Sequence, residues 1–170
     1  QEETTALVNL GASVMNVKII RAGSSLFTRD IPLGGNRYTE AIQREIGLSF
    51  EKAEEGKKND HVGDSSGGSF TSVMDSVNAE VASEIARTVD YFKTSTTNAE
   101  ISRVLVCGGV ARAKGLIQQL GDRMQLPVEM ADPFAEIDVT GCDMDPNLLA
   151  DLAPSAAVSV GLALRAVGDR

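Results

Sequence analysis

The chain has 170 residues and a formal net charge of −8, and 42% of its residues are hydrophobic while only 4% are aromatic. This length suits one compact domain with an inserted subdomain, and an aliphatic core is typical of α/β folds with buried parallel strands. The negative charge argues against nucleic acid as a partner, because an acidic surface repels phosphate backbones. A single histidine and two cysteines without metal-ligand spacing argue against a zinc site. No apolar run reaches the roughly 18 residues of a membrane span and no signal peptide opens the chain, which predicts a cytosolic protein.

Three short strands are predicted at the start of the chain, over residues 6–10, 14–20 and 24–31. Short turns with glycine separate them, so we expect an antiparallel meander. A helix is predicted from residue 36 to Gly47, and a second begins after Ser49 as its N-cap. The polar segment 56–69 predicts a mobile loop in which His61 is solvated rather than catalytic.

A long helix is predicted from residue 72 to about 94, because apolar residues recur there at every third or fourth position. Residues 101–107 predict a buried central strand, followed by a helix over 114–120 and a strand over 126–130. An acidic loop over 138–147 precedes a last helix, predicted over 155–167 with Pro154 at its start. That helix is apolar on almost every side, which predicts a neighbour outside the chain, exposed apolar surface and a tendency to associate.

Glycine-rich turns at the ends of strands are the first candidate binding features. Gly11 with Ala12 and Ser13, the pair Gly34–Gly35, and the pair Gly108–Gly109 each follow a predicted strand. Backbone N–H groups in such turns and at helix N-termini attract phosphate, so three neighbouring turns would form one cleft. Each turn alone is equally compatible with a glycine that only permits the chain to bend.

Glu54 and Lys57 are the second candidate feature. A spacing of three places both side chains on one helix face, where they could hold a ribose and the edge of a base. The spacing is also compatible with a solvated ion pair. No nucleophile motif and no Walker A pattern occurs, so no catalytic residue is assigned.

Taken in order, these segments resemble the actin-like superfamily, and within it the PilM family of type IV pilus assembly proteins, relatives of the division protein FtsA. The turn from Phe27 to Asp30 that leads into Gly34–Gly35, and the turn from Ala131 to Phe134, look specific to PilM-like proteins. The matching segments are residues 7–13, 26–35, 38–41, 53–54, 83–92, 107–109, 115–116, 131–134, 153–155 and 160–165.

The resemblance implies a role for each candidate residue. Gly11, Ala12 and Ser13 look like the second phosphate loop, and Gly34 and Gly35 look like the glycine pair at the entrance to an inserted subdomain. Glu54 and Lys57 look like the pair that approaches the adenosine, and Gly108 and Gly109 look like the adenosine motif. The cofactors implied are ATP and Mg²⁺. Asn9 stands where the superfamily usually has an aspartate that holds Mg²⁺ through water, which predicts weak Mg²⁺ coupling and at most slow hydrolysis.

The resemblance also implies the architecture and the partners. We expect an α/β, ribonuclease H-like, actin-like fold, with a sheet subdomain (1–35 and 99–170) and an inserted helical subdomain (36–98). The chain resembles only the second half of such a protein, so we expect it to be inactive alone and to clasp ATP together with the first half.

Implied partners are the cytoplasmic tail of PilN, bound in the family mainly by the first half, and other inner-membrane pilus assembly proteins. The implied location is therefore the cytoplasmic side of the inner membrane, reached through partners. Two alternatives stay open, half of a sugar-kinase-like phosphotransferase and an interaction module that no longer binds nucleotide.

Overall fold

The computed structural model describes residues 3–61, 67–96 and 100–166, which form one mixed sheet and the helices around it. The strands are β1 (Thr4–Leu10), β2 (Met15–Arg21), β3 (Ser24–Ile31), β4 (Arg103–Cys107) and β5 (Val128–Met130). The helices are α1 (Gly35–Ile46), α2 (Phe50–Asn59), α3 (Gly67–Ser95), α4 (Leu116–Met124) and α5 (Pro146–Ala163).

The sheet has the strand order β3-β2-β1-β4-β5. The pairs β1–β2 and β2–β3 are antiparallel, which confirms the predicted meander. The pairs β1–β4 and β4–β5 are parallel. Because parallel neighbours need a crossover connection, the three helices α1–α3 lie between β3 and β4 in the chain. The parallel pairing places the carboxyl ends of β1 and β4 side by side, at the edge where Gly11 and Gly108 follow.

One face of the sheet packs on the helices. Ala6, Val8 and Leu10 of β1 alternate with half-buried residues and are at most 1% exposed. They belong to a single buried cluster that also takes in α1, α3 and α4, with Tyr38 and Ile85 among its largest members. Continuous burial along one side of a strand explains why β1 and β4 are rich in aliphatic residues.

The predicted loop over 56–69 is wrong at both of its ends. Helix α2 continues to Asn59, and α3 already begins at Gly67. The predicted N-cap is confirmed, because the Ser49 side chain accepts from the Lys52 amide at 3.4 Å. Gly56 is buried inside α2 and does not begin a loop. His61 is exposed, and residues 62–66 lie outside the described ranges.

The predicted start of the last helix is also wrong. Pro154 lies inside α5, and the helix begins at Pro146 with Asp145 as its N-cap. The Asp145 carboxylate accepts from the amides of Asn147 at 2.8 Å and Leu148 at 3.2 Å. An aspartate followed by a proline is a strong helix-start pattern, because it supplies both a cap and the first helical residue.

Helix α5 buries only Ala153 and Pro154, which confirms the predicted exposure of apolar surface. Its exposed large apolar side chains, with their exposed fractions, are Leu148 (49%), Leu152 (42%), Val158 (55%) and Leu162 (62%). Self-association of the chain stays a prediction. Within the described ranges, no helix combines the length and the hydrophobicity that a bilayer crossing requires.

Candidate functional site

The turn after β1 and the junction between β3 and α1 are joined directly. Gly11 N donates to Val14 O at 3.1 Å and closes the β1–β2 turn. The amides of Gly35 and Asn36 donate to the carbonyls of Gly11 (2.9 Å) and Ala12 (2.8 Å). These two amides of the first turn of α1 therefore hold the β1–β2 turn in place and are not free to bind an anion.

Gly34 is glycine for reasons of space. Its backbone is extended (φ −164°, ψ −160°), a conformation open to any residue. A Cβ here would lie 2.5 Å from Gly11 O and 2.7 Å from Ala12 O, far inside van der Waals contact. The backbone of the β1–β2 turn and the backbone at Gly34 approach so closely that a side chain at residue 34 would not fit between them.

Gly108 brings the end of β4 against the end of β1. Its φ of +95° is unfavourable for other residues, and a Cβ would lie 2.7 Å from the carbonyl carbon of Leu10 and nearer still to its oxygen. The Gly108 amide donates to Pro154 O of α5 at 2.7 Å. Gly109, by contrast, has open space around the position of a Cβ.

The turn at Gly108–Gly109 also lies against the turn at Gly34–Gly35. A Cβ on Gly35 would lie 2.8 Å from Val110 Cγ2, so the segment after Gly109 packs on the start of α1. The three glycine turns predicted from sequence thus meet at one edge of the sheet.

Several backbone N–H groups at this edge lack a hydrogen-bond acceptor in the described part of the protein. Among the described residues, the amides of Ala12, Ser13, Gly109 and Val110 form no hydrogen bond. The Ser13 hydroxyl accepts from Asn36 Nδ2 at 3.1 Å, which leaves its own proton available to an acceptor. A cavity of about 200 Å³ adjoins this turn. Its lining includes Ala12, Ser13, Pro32, Leu33, Gly34 and Asn36.

Glu54 and Lys57 form part of a compact polar cluster with Thr39 of α1. Lys57 Nζ donates to Glu54 Oε1 (2.5 Å), Thr39 Oγ1 (2.9 Å) and Gly35 O (3.2 Å). The Thr39 hydroxyl also contacts Glu54 Oε1 and Gly35 O. All three N–H donors of the ammonium are thus used by the protein, while no described residue bonds to Glu54 Oε2. Side-chain exposures of 16% for Lys57 and 24% for Glu54 argue against a solvated surface pair.

Thr39 and Asn36 were not singled out from the sequence. Thr39 is 1% exposed although it is polar, and it lies between Tyr38 and Ala41 on the buried face of α1. A polar residue on an otherwise apolar helix face is the signal that could have identified it. Asn36 gives no comparable signal, because its contact with Ser13 joins residues 23 positions apart.

We expect Lys57→Met to destabilise the chain by about 1–2 kcal/mol at neutral pH, because it leaves the Glu54 carboxylate without its cation. Burial raises the pKa of Glu54, but the hydrogen bonds from Lys57 and Thr39 and the charge of Lys57 lower it by a larger amount. The pKa of Glu54 therefore lies below its ordinary value. A carboxyl group whose pKa is lower in the folded than in the unfolded state stabilises the fold at any pH above its unfolded-state pKa. This stabilisation is lost as the pH falls through the pKa of the folded state.

The difference in unfolding free energy between wild type and Lys57→Met should therefore shrink between neutral pH and about pH 3. Urea unfolding at several pH values measures it. The matched control is Lys52→Met, an exposed lysine on the same helix. Equal destabilisation by both substitutions, or a difference independent of pH, would contradict the assignment.

Asn9 lies near the carboxyl end of β1, two residues before Gly11, and alternates with the buried residues Val8 and Leu10. Its Nδ2 donates to Asn16 Oδ1 at 3.2 Å, and Cys107 Sγ lies 3.8 Å from its Oδ1. Asn16 in turn donates to Asp30 Oδ1 at 2.7 Å. The nearest carboxylate in this hydrogen-bonded series therefore lies on β3, two strands from Asn9. Burial raises the pKa of the Cys107 thiol, which keeps it protonated and confirms the interpretation of a buried thiol. Within the described residues no group of three or more His, Cys, Asp or Glu side chains could hold a metal ion.

The family model of the type IV pilus assembly protein PilM matches residues 1–167. The chain belongs to the PilM family. A solved PilM–PilN type IV pilus biogenesis complex contains a chain 25% identical to this one, with a TM-score of 0.84 over 98% of this chain and 47% of that one.

Other solved structures show that the PilM-like chain has the actin-like fold. The ethanolamine utilization protein EutJ from Carboxydothermus hydrogenoformans is 18% identical, with a TM-score of 0.66 over 96% of this chain and 49% of that one. MreB5 of Spiroplasma citri bound to AMPPNP is 16% identical, with a TM-score of 0.64 over 95% of this chain and 52% of that one. The PilM-family chain therefore spans about half the length of these structures.

Proposed function

We propose that this chain is the ATP-binding second half of a PilM-like scaffold protein of type IV pilus assembly. The observation that carries the proposal is the meeting of three glycine turns beside the Glu54–Lys57 cluster, with backbone amides that have no acceptor among the described residues. Free amides at turns are the groups that bind phosphate without basic side chains. They suit a protein with a net charge of −8, because backbone amides attract an anion whatever the overall charge of the chain.

Each part of the edge has a proposed role. The amides of Ala12 and Ser13 and the Ser13 hydroxyl bind the phosphates. Glu54 Oε2 accepts from the ribose hydroxyls, while Lys57 holds the carboxylate and the Gly35 carbonyl in position. The turn at Gly108–Gly109 is open to the adenosine, because no side chain stands above Gly109.

The proposed role is binding and switching rather than turnover. Asn9 is a neutral amide already paired with Asn16, and an amide is a poorer partner than a carboxylate for a hard cation. Mg²⁺ would therefore be held by the nucleotide phosphates and water, with hydrolysis slow at most. Asn9 is also the observation that favours the alternative of an interaction module without nucleotide.

The first half of the fold is the proposed partner that closes the cleft. The exposed apolar side chains of α5 are the surface available to it, and the similar structures are about twice as long as this chain. In the assembled protein we propose a sheet subdomain (1–35 and 99–170) and an inserted helical subdomain (36–98). The PilN tail and other pilus assembly proteins would then recruit the protein to the cytoplasmic side of the inner membrane.

The decisive experiment is ATP titration by calorimetry, with and without Mg²⁺, on this chain and on the same chain joined to a PilM first half. We expect binding in the joined form that is weakened by Ser13→Ala and unaffected by excess sugar. A Ser95→Ala variant is the matched control, since its hydroxyl only caps a carbonyl of α3. Absence of binding in both forms would reject the proposal in favour of the interaction module. Transfer of phosphate from ATP to an added sugar would favour the phosphotransferase.

A further inference from the structure

A buried polar contact joins two helices to the loop that follows β4. Asn78 of α3 is fully buried, and its side chain has a partner at each end. Its Oδ1 accepts from the Tyr38 hydroxyl of α1 at 2.9 Å, and its Nδ2 donates to Lys114 O at 2.8 Å. Lys114 precedes Gly115, the N-cap of α4, so the contact holds the far end of the loop that begins at Gly108.

The loop between Gly108 and Gly115 consists of consecutive hydrogen-bonded turns, so a displacement at one end also moves the other end. Its backbone hydrogen bonds run from Ala111 to Gly108 (3.1 Å), from Ala113 to Val110 (2.9 Å) and from Leu116 to Ala113 (3.1 Å). Val110, in the middle of this loop, is the residue that touches Gly35. A shift at Lys114 would therefore reach both glycine turns.

Asn78 is a buried polar anchor of this loop on the helices, beside the apolar contacts of Val110 and Ala111 with the core. The Lys114 ammonium also pairs with Asp60 at 2.9 Å, but the Lys114 side chain is 76% exposed, and exposed pairs contribute little. Burial raises the pKa of the Tyr38 hydroxyl well above its usual range, so Tyr38 remains a hydrogen-bond donor at all relevant pH values. With the Tyr38 proton on its Oδ1, Asn78 has its amide oriented to donate to Lys114.

We propose that Asn78, oriented by Tyr38, is the positioning residue for the loop 108–115 and sets its distance from the Gly34–Gly35 turn. This positioning role does not require a bound ligand. The consequence for nucleotide affinity rests on the proposed function.

Amide hydrogen exchange of this chain tests the proposal through Asn78→Leu and Tyr38→Phe. Losing a buried hydrogen bond should raise exchange over residues 108–116 by roughly five- to tenfold in Asn78→Leu and by less in Tyr38→Phe. The conservative Tyr38→Phe change keeps the ring, so a folded variant is available even if Asn78→Leu unfolds. Thr88→Val is the control, because Thr88 is equally buried in α3 but donates only to Glu84 O at 2.9 Å.

Faster exchange confined to α3, with the loop unchanged in both variants, would overturn the proposal and leave Asn78 as a core residue only. Faster exchange in the loop together with weaker ATP binding in the joined protein would support it fully. Faster exchange in the loop when even wild type binds no ATP would support the positioning role and reject the proposed function instead.

Discussion

Gly108→Ala should lower the free energy of unfolding by about 3–5 kcal/mol. Two costs add. The φ of +95° disfavours any side chain, and the new Cβ would lie 2.7 Å from the carbonyl carbon of Leu10. Because the obstacle is the backbone of the neighbouring strand, no rotamer change can relieve it. Urea unfolding measures the change.

Gly109→Ala is the matched control for this prediction. A Cβ at Gly109 meets no atom within 4 Å, and its φ is not positive. Its unfolding free energy should stay within about 0.5 kcal/mol of wild type. Similar losses in both variants would show that the close approach of β4 to β1 does not limit stability.

Gly34→Ala should cost about 2–3 kcal/mol and, in the joined protein, reduce ATP affinity at least about tenfold. The added Cβ would lie 2.5 Å from Gly11 O and must push the two turns apart. Separation breaks the bonds from Gly35 and Asn36 to the β1–β2 turn, which together position Ala12 and Ser13. Unfolding measurements and calorimetric titration check the two parts separately.

The control for Gly34→Ala is Gly141→Ala, in the loop before α5, where nothing lies within 4 Å of the new Cβ. It should leave both stability and affinity unchanged. A Gly34→Ala variant with wild-type stability and reduced ATP affinity would show that the substitution affects ligand binding and not folding. Full stability with full affinity would contradict the role assigned to this turn.

Patterns within single segments predicted most of the secondary structure. Apolar and branched runs separated by short turns identified β1, β2 and β3, and the spacing of apolar residues identified α1 and most of α3. Where these predictions are wrong, a local signal was misread. The polar, glycine-rich segment from Gly56 was predicted to be a mobile loop, yet Gly56 lies buried in α2. Pro154 looked like a helix start, although Asp145–Pro146 carried the stronger pattern.

The candidate site was predictable in its residues and not in its contacts. Glycines after three strands were visible in the sequence, but the reason for each differs. Gly34 is required by a neighbouring turn, Gly108 by its φ and by Leu10, and Gly109 by no contact of the chain itself. Lys57 was predicted to approach a ligand, whereas its three donors are used inside the protein.

The strands, most of the helices, the glycine turns and the resemblance to the PilM family could be predicted from the amino-acid sequence, because they depend on residues close together along the chain. Only the tertiary structure decided that Gly34 meets Gly11, that Thr39 completes the Glu54–Lys57 cluster and that Asn78 anchors the loop after β4. These contacts join residues 15 to 36 positions apart. They arise from the packing of α1 and α3 on the sheet, and no periodicity within one segment records which distant residue a side chain will face.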